Sequence, residues 1–181
     1  THVFAFLLSM QKHALININQ IKREVLGDYM QLDVNAVRNL ELVKTLKDGK
    51  RYGSLLWVLD KTKTSMGARK LQSWILSPLN NVEQINYRLD GVDSLYKNTL
   101  IRQSLTNLLS GVRDVGRITG KIANGNLTPR DCVALKKSLE VIPNIKFQLL
   151  GIDAKMIIDV SESMGDFTDM VKLLKIYTRS L

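Results

Sequence analysis

A chain of 181 residues in which 45% are hydrophobic is long enough to bury a core, which argues against a low-complexity or disordered segment. Aromatic residues account for only 6% of the chain and prolines number three, so the composition favours a mainly α-helical domain over a β-sandwich or a β-barrel. The formal net charge of +9 is compatible with a polyanionic partner, but cationic residues on the solvated faces of many amphipathic helices would produce the same value.

The first part of the chain carries two local patterns. At residues 1–12, apolar side chains recur at three- and four-residue spacing, which predicts a helix whose apolar face needs a partner. Ile16 and Ile18 alternate with asparagines, and this period of two predicts one or two short strands near residues 15–33. The chain begins with Thr1 and not with Met, which we interpret as a sign that it belongs to a longer protein.

Polar residues that precede apolar runs predict the next helices. A side-chain oxygen just before a helix accepts hydrogen bonds from the free amides of its first turn. Asp33 is such an N-cap, and the helix after it should run to about Lys47. Gly53 and Ser54 open a short apolar helix that Asp60 closes.

Thr64 and Asn81 precede two helices with regular apolar patterns. The first helix should end before Pro78, since proline cannot continue it. The second starts with a capping-box pattern, because Gln84 follows Asn81 by three residues. The predicted inward face of the second helix is the regular stripe of Ile85, Leu89, Val92 and either Leu95 or Tyr96.

Glycine and proline mark the helix boundaries in the second half of the chain. Gly111 ends one helical pattern, and Gly125 has the position of a C-terminal cap. Thr128 followed by Pro129 is a start signal, since proline lacks only an amide that has no partner in the first turn. The predicted helices of this half span residues 100–109, 112–123, 129–143, 154–158 and 166–177. The last of them has no stop signal, and we expect it to continue beyond the chain.

No group of residues in the sequence has the pattern of a catalytic, cofactor-binding or metal site. A single cysteine, Cys132, excludes an internal disulfide, and with only His2 and His13 beside it no zinc site can be assembled at the usual spacings. The glycines at 111–120 approach the spacing of a phosphate-binding loop, but isoleucine replaces the hydroxyl that would hold Mg²⁺. We therefore predict that this chain is not an enzyme.

Five stretches of the first half carry a family signature in a fixed order and spacing. They read YMQLD at 29–33, RNLEL at 38–42, GSLLWVLD at 53–60, TKTSMGAR at 62–69 and LQSWILSPL at 71–79. These stretches resemble the core region of MutS-type DNA mismatch-repair proteins. The similarity continues through Asp114, Arg117 and Pro129, and it covers roughly residues 1–143.

The resemblance implies structural roles for twelve signature residues. These are Asp33, Arg38, Asn39, Glu41, Gly53, Ser54, Asp60, Thr64, Gly67, Arg69, Pro78 and Arg88. We expect Arg69, Arg88 and Asp33 to act first as salt-bridge or capping partners and only second as contacts to DNA. Gly67 lies one turn into a predicted helix, where glycine costs about 1 kcal/mol relative to alanine, and this predicts close packing by another backbone.

Two positions depart from the family pattern. Gly116 stands where an acidic residue usually precedes the arginine, and Val37 stands where threonine is usual. These departures concern local helix stability and capping, and they leave the order and spacing of the signature intact.

The resemblance implies a parent protein with two functional sites. Such proteins are homodimeric clamps that recognise mismatches in duplex DNA and use ATP with Mg²⁺ to change state. This sequence has no counterpart of the mismatch-reading motif or of the ATP-binding loop, so we expect no cofactor in the chain itself. We expect this chain to be the lever region of such a protein, in which packed helices couple a DNA site to a distant nucleotide site.

The resemblance also predicts domain limits, partners and location. Residues 1–28 would form a connector-to-core segment, residues 29–150 the core or lever domain, and residues 151–181 a helical tail that leads toward a clamp domain. Expected partners, reached through the parent protein, are mismatched duplex DNA, a second MutS subunit and downstream repair factors. The apolar run at 3–10 is too short to span a bilayer, so we expect no membrane contact. A single cysteine fits a reducing bacterial cytoplasm, with association to the nucleoid.

The alternative function is a freestanding basic helical module that binds nucleic acid through its phosphates. This function would require one face of the fold to collect the positive charge. Trp57 and Trp74 could then stack on bases. Both tryptophans lie beside leucines on apolar faces, however, and we predict that they pack in the core.

Overall fold

The computed structural model describes residues 26–178 and shows a mainly α-helical protein, as the composition predicts. A short 3-10 turn at Leu26–Asp28 precedes ten α-helices in this part of the chain. They are α1 (Val34–Asn39), α2 (Leu55–Leu59), α3 (Ser65–Leu76), α4 (Val82–Lys97), α5 (Thr99–Ser110), α6 (Val115–Ala123), α7 (Pro129–Glu140), α8 (Ile142–Leu149), α9 (Lys155–Ser163) and α10 (Thr168–Thr178). Among the described helices, none combines the length and the apolar character that a membrane crossing requires.

The strands expected near residues 15–33 do not form in the described part of that range. Residues 26–33 contain the 3-10 turn and one antiparallel bridge, in which Tyr29 pairs with Leu79. A single bridge fixes the entry of the chain but is too short to count as a strand. The helix predicted at residues 1–12 and the rest of the strand prediction lie outside the described residues.

The predicted starts of five helices are confirmed by their capping hydrogen bonds. In each case a side-chain oxygen accepts from the backbone N–H three residues later, and the capping residues are Asp33, Ser54, Thr64, Asn81 and Thr128. Thr128 forms a full capping box. Its Oγ1 accepts from Asp131 N at 3.3 Å, while the Asp131 carboxylate accepts from Thr128 N at 3.0 Å.

The first helix ends at Asn39, well before the predicted end near Lys47. Glu41 has a φ of 49°, in the left-handed region that a residue with a Cβ rarely adopts. Its carboxylate accepts from Leu46 N at 2.6 Å, and its carbonyl accepts from Leu55 N at 3.1 Å. These two hydrogen bonds turn the chain back onto α2, so the helix cannot continue.

Pro143 lies in the first turn of a helix that the sequence did not predict. The preceding helix, α7, ends at Glu140, and α8 starts at Ile142 with the proline in its first turn. A missing amide is tolerated there because first-turn amides have no helical partner. Pro143 therefore lies at the start of a new helix, whereas the sequence pattern predicted one longer helix toward this proline.

The apolar stripe predicted to face inward on α4 mostly faces solvent. Leu89, Val92 and Tyr96 are 55%, 61% and 74% exposed. The buried residue of α4 is Gly91, and a Cβ built on it would lie 2.9 Å from Sδ of Met156 on α9. Because the glycine has no side chain, α9 packs closely against this face of α4 and the apolar stripe is left outside.

Two apolar clusters hold the helices together. The first connects α5, α8 and α9 and contains Leu105, Ile145, Leu149, Ile152, Ala154 and Ile157. The second connects α6, α7 and α10 and contains Ile118, Leu135, Leu139 and Leu174. Contacts between α7 and α8 join the two clusters into one bundle.

Replacing Gly91 or Gly120 with alanine distinguishes the effect of helix propensity on stability from the effect of packing. Both glycines lie inside helices, where alanine is preferred by about 1 kcal/mol. A Cβ at Gly120 meets nothing within 4 Å, so Gly120→Ala should raise the free energy of unfolding by about 0.5–1 kcal/mol. A Cβ at Gly91 meets Met156. The free energy of unfolding of the Gly91→Ala variant should therefore be at least ~1 kcal/mol lower than that of the Gly120→Ala variant.

Urea unfolding followed by circular dichroism measures both changes. Equal stabilisation by the two alanines would contradict the close approach of α9 to Gly91.

Candidate functional site

The signature residue Arg69 joins two parts of the protein that are far apart in the sequence. It lies on α3, and its guanidinium donates to both carboxylate oxygens of Asp114, from Nη1 at 2.6 Å and from Nη2 at 2.8 Å. This two-point geometry is the one in which arginine and a carboxylate match best. Arg69 therefore forms an ion pair with Asp114.

Asp114 is at the same time the N-cap of α6. Its Oδ1 accepts from Arg117 N at 3.2 Å, and its Oδ2 lies 3.3 Å from Nε of the same arginine. These contacts lower the pKa of Asp114 to about 2, first because Arg69 donates hydrogen bonds to the ionised carboxylate and further because of the Arg117 amide. Asp114 is therefore ionised at neutral pH, and the pairing raises the pKa of Arg69.

Arg88 does not form the salt bridge or cap expected of it within residues 26–178. Its guanidinium carbon lies 4.1 Å from the centroid of the Trp74 ring, which is a cation–π contact between α4 and α3. Trp74 is half-buried, in agreement with a packing role. The ring stack is thus a second link between α3 and the bundle.

The prediction that Trp57 packs in the core is wrong. Its side chain is 43% exposed, and its ring centroid lies 4.4 Å from that of Tyr52 at an angle of 54°. The buried residue of α2 is Leu56, while the other apolar residues of this helix, Leu55, Val58 and Leu59, are exposed. A helix of five residues can bury only one narrow face, and here that face is set by Leu56.

Gly53 and Ser54 form a tight connection into α2. Gly53 has a φ of 90°, and a Cβ there would lie 3.1 Å from Cγ2 of Thr45, so both the backbone and the space favour glycine. Ser54 is fully buried. Its Oγ donates to Arg51 O at 2.7 Å and accepts from Trp57 N at 3.3 Å, which satisfies the hydroxyl inside the fold.

Asp60 ends α2, as predicted. Its Oδ1 accepts from Thr62 Oγ1 at 2.6 Å and from Thr62 N at 3.0 Å, and its Oδ2 pairs with Arg51. The Thr62 hydroxyl is the largest cause of a lowered pKa of Asp60, and Arg51 adds to it. Asp60 therefore fixes the turn between α2 and α3 as an anion.

Gly67 is close to other atoms, but not to another backbone as predicted. A Cβ there would lie 3.0 Å from Oγ1 of Thr64 and 3.5 Å from Cβ of Thr62. The reason is local, because Gly67 N donates to Thr64 Oγ1 at 3.0 Å in the N-cap of α3. Glycine at this position keeps the cap tight.

The remaining signature residues contribute backbone contacts. Pro78 O accepts from Met30 N at 2.8 Å beside the antiparallel bridge, which attaches the start of the described chain to the end of α3. Arg38 O accepts from Glu41 N at 3.0 Å, and Asn39 is the last residue of α1. These residues shape the entry into the domain.

The signature residues therefore form caps, turns and two links between α3 and the bundle. In the part of the chain that the structure describes, no group of three or more His, Cys, Asp or Glu residues is placed to hold a metal ion. Sequence reasoning did not identify Asp114 as the partner of Arg69. Asp114 lies inside the helix predicted at residues 112–123, whereas α6 begins at Val115, so the N-cap role of this carboxylate was not recognised.

Comparison with known proteins agrees with this arrangement. The sequence profile described as MutS domain III matches residues 35–175. The chain belongs to the MutS domain III family. The resemblance found in the signature stretches is thereby confirmed.

Several relatives are proteins named DNA mismatch repair protein MutS. That of Clostridium perfringens is 41% identical over 170 residues, which are 94% of this chain and 19% of the relative. That of Methanosarcina barkeri is 40% identical over 172 residues, with coverage of 94% and 19%. That of Methanosarcina mazei is 42% identical over 166 residues, with coverage of 91% and 18%. The chain spans about a fifth of the length of these relatives.

Asp114 should make the stability of this MutS domain III chain depend on pH in acid. The pKa of an unfolded aspartate is about 3.9, whereas that of Asp114 in the fold is about 2. A lowered pKa stabilises the fold above the unfolded value, and this contribution is lost as the pH falls from about 4 to about 2. Asp114→Asn keeps a capping oxygen but removes the charge, so its destabilisation should be constant above about pH 5 and shrink towards about pH 2.

Urea unfolding of both proteins across this pH range measures the difference. The same difference near neutral pH and at the acid end would show that the charge of Asp114 does not stabilise the fold.

Gly116 offers a test of the same junction, because it lies in the first turn of α6 beside Arg69. A Cβ there would lie 3.7 Å from Nη2 of Arg69 and 3.7 Å from Oδ1 of Asp114, so a glutamate at this position must extend toward the guanidinium and away from the carboxylate to gain from the charge. Gly116→Glu should raise the free energy of unfolding by about 1 kcal/mol, because glycine is unfavourable inside a helix and an acidic group favours the first turn.

Gly116→Gln is the matched control, since it has a similar helix propensity and no charge. Urea unfolding at low salt should show a larger gain for glutamate than for glutamine, and the excess should be smaller in an Arg69→Gln background. Equal gains would mean that a carboxylate at 116 does not interact with Arg69.

Proposed function

We propose that this chain is the lever region of a MutS-type mismatch-repair protein and that its helices couple DNA binding to ATP turnover elsewhere in that protein. The relatives reported above are named DNA mismatch repair proteins, and the chain spans about a fifth of their length. The observation that carries the proposal is the two-point ion pair between Arg69 and Asp114, which links α3 to the cap of α6.

Helices that move as units on either side of a joint are what a lever requires. On one side of the ion pair is α3, which begins at a side-chain cap on Thr64. On the other side, α6 packs with α7 and α10 around the buried residues Leu135 and Leu139. A displacement of α3 would therefore be transmitted to the bundle through Arg69 and not lost in a flexible loop.

The ion pair is suited to open and close, because it is not part of the apolar core. The side chains of Arg69 and Asp114 are 48% and 15% exposed. Water can replace the partner of a partly exposed ion at a small net cost, so the pair can break while the helices stay packed. A joint with two discrete arrangements is the physical basis of coupling between distant sites.

The wider assignments are part of the same proposal. Residues 1–28 would lead from a connector, residues 29–150 would form the lever domain, and residues 151–181 would lead toward a clamp. The parent protein would bind mismatched duplex DNA, ATP with Mg²⁺, a second subunit and downstream repair factors in the bacterial cytoplasm. The support for these assignments is the family membership and the shared length of sequence with named mismatch-repair proteins.

Breaking the ion pair in the whole MutS-type protein that carries this sequence tests the proposal. Arg69→Gln and Asp114→Asn should leave the affinity for mismatched duplex nearly unchanged. Each should lose about 5-fold or more of the mismatch-dependent stimulation of ATP turnover, which is the lower range of allosteric coupling. The double variant should lose no more than the single variants, because both act through one contact.

A disulfide inside the packed bundle is the matched control. A Cβ at Gly91 would lie 3.3 Å from Cβ of Met156, a few tenths of an ångström below the range of about 3.5–4.5 Å found in disulfides, so the bridge requires a small outward shift of α9. With Cys132→Ala, oxidation of Gly91→Cys and Met156→Cys should preserve coupling, since α4 and α9 move together. Unchanged mismatch-dependent stimulation of ATP turnover in both ion-pair variants would overturn the lever proposal. Loss of coupling only in the oxidised control would show that the relevant motion occurs between α4 and α9 and not at the ion pair.

A further inference from the structure

A cleft of about 510 Å³ lies between the loop that joins α5 to α6 and the first turns of α7. Three cationic side chains line it, namely those of Arg113, Arg130 and Lys137. Its remaining lining is apolar and consists of Pro129, Val133 and Ala134. None of these residues is among the twelve signature residues, although the family similarity extends through Pro129.

The backbone of the cleft is held in place by a buried serine. Arg113 N donates to Ser138 Oγ at 2.9 Å, and the same hydroxyl donates to Ala134 O at 2.8 Å. Ser138 is only 1% exposed, so this connection is shielded from water. On α7, residues 130, 134 and 137 follow each other at four- and three-residue spacing and therefore share one face of the helix. The backbone that carries the three cations is therefore held in place before a ligand binds, while their exposed side chains lose rotamer freedom on binding.

The charge of the cleft is uncompensated in the described part of the chain. Its lining contains no carboxylate, and none of its three cations forms an ion pair within residues 26–178. The two nearest carboxylates in the sequence are already engaged, Asp114 by Arg69 and Asp131 by Lys121. Like charges that share a cleft repel one another, and an anion placed between them relieves the repulsion.

A second cleft of about 580 Å³ between α8 and α10 provides a contrast. It also contains lysines, among them Lys146 and Lys172, but Glu140 and Asp166 lie in the same lining. Carboxylates in the lining would repel an anion and neutralise the lysines. Of these two clefts, the one at Arg113, Arg130 and Lys137 combines cations with a lining free of carboxylates.

We propose that this cleft binds phosphate groups of a DNA backbone. Guanidinium groups match phosphate oxygens in two-point geometry, and a lysine adds a compact charge. The apolar surface between the cations suits the sugar that separates successive phosphates. Contacts of this kind position a duplex without reading its bases, so binding is weak, salt-sensitive and indifferent to a mismatch. The choice of DNA as the source of the phosphates rests on the function proposed above.

The test compares two triple variants of the 181-residue chain that lose the same charge. The cleft variant combines Arg113→Gln, Arg130→Gln and Lys137→Gln. The control combines Lys44→Gln, Lys47→Gln and Lys63→Gln, which replace exposed lysines without an ion pair among the described residues. Circular dichroism and urea unfolding establish that both variants fold as the parent chain does.

Fluorescence anisotropy of a labelled matched duplex at several salt concentrations is the readout. The cleft variant should bind about 10-fold more weakly at low salt, and its plot of log K against log salt should flatten by about 2 to 3, since each phosphate contact contributes about 0.9. The control should weaken much less. Single variants Arg130→Gln and Lys137→Gln, which alter exposed side chains, should each flatten the slope by about 1 and keep the test valid should the triple variant not fold.

Equal losses in the cleft and control variants would overturn the proposal, because they would show an effect of net charge alone. Binding of labelled ATP that depends on the cleft residues, without such dependence for duplex DNA, would assign the cleft to a free nucleotide and overturn the DNA assignment. A duplex dependence with no effect on ATP supports the proposal. This outcome is independent of the lever proposal, which is decided by the coupling of ATP turnover in the whole protein.

Discussion

The carboxylate of Asp114 is the group on which the relation between the first elements and the helical bundle depends. It caps the start of α6 by accepting a hydrogen bond from the Arg117 amide, and it holds α3 by accepting hydrogen bonds from Nη1 and Nη2 of Arg69. Both contacts favour the ionised carboxylate, so each of them lowers the pKa of Asp114 and thereby strengthens the other. Because the arginine stays half-exposed, the link avoids the large desolvation cost of a buried ion pair.

Small side chains decide where the helices of the bundle meet. Gly91 lets α9 approach α4 so closely that even a Cβ would contact Met156. Ser138 has a similar effect on α7, where its buried hydroxyl receives the backbone N–H of Arg113. At both points the backbone geometry, and not the most apolar face of the helix, fixes the packing. The consequence is a bundle with part of its apolar surface outside.

The loop between α5 and α6 connects the two proposals. Arg113 lines the basic cleft, and the next residue, Asp114, is the joint to α3. A phosphate held by Arg113 would therefore act one residue away from the ion pair that the lever proposal requires. Ser138 restrains this loop from the side of α7, so a displacement there would be shared by the cleft, the cap of α6 and α3.

The sequence by itself determined the features that depend on neighbouring residues. The caps at Thr64 and Thr128 were predictable because a cap involves residues only three positions apart, and the order of the signature stretches was enough to indicate the family. Only the tertiary structure decided which face of α4 is buried, that Arg69 pairs with Asp114, and that three scattered cations share a cleft. These outcomes depend on the shapes and charges of surfaces that meet across long stretches of chain, and no local pattern encodes which surfaces will meet.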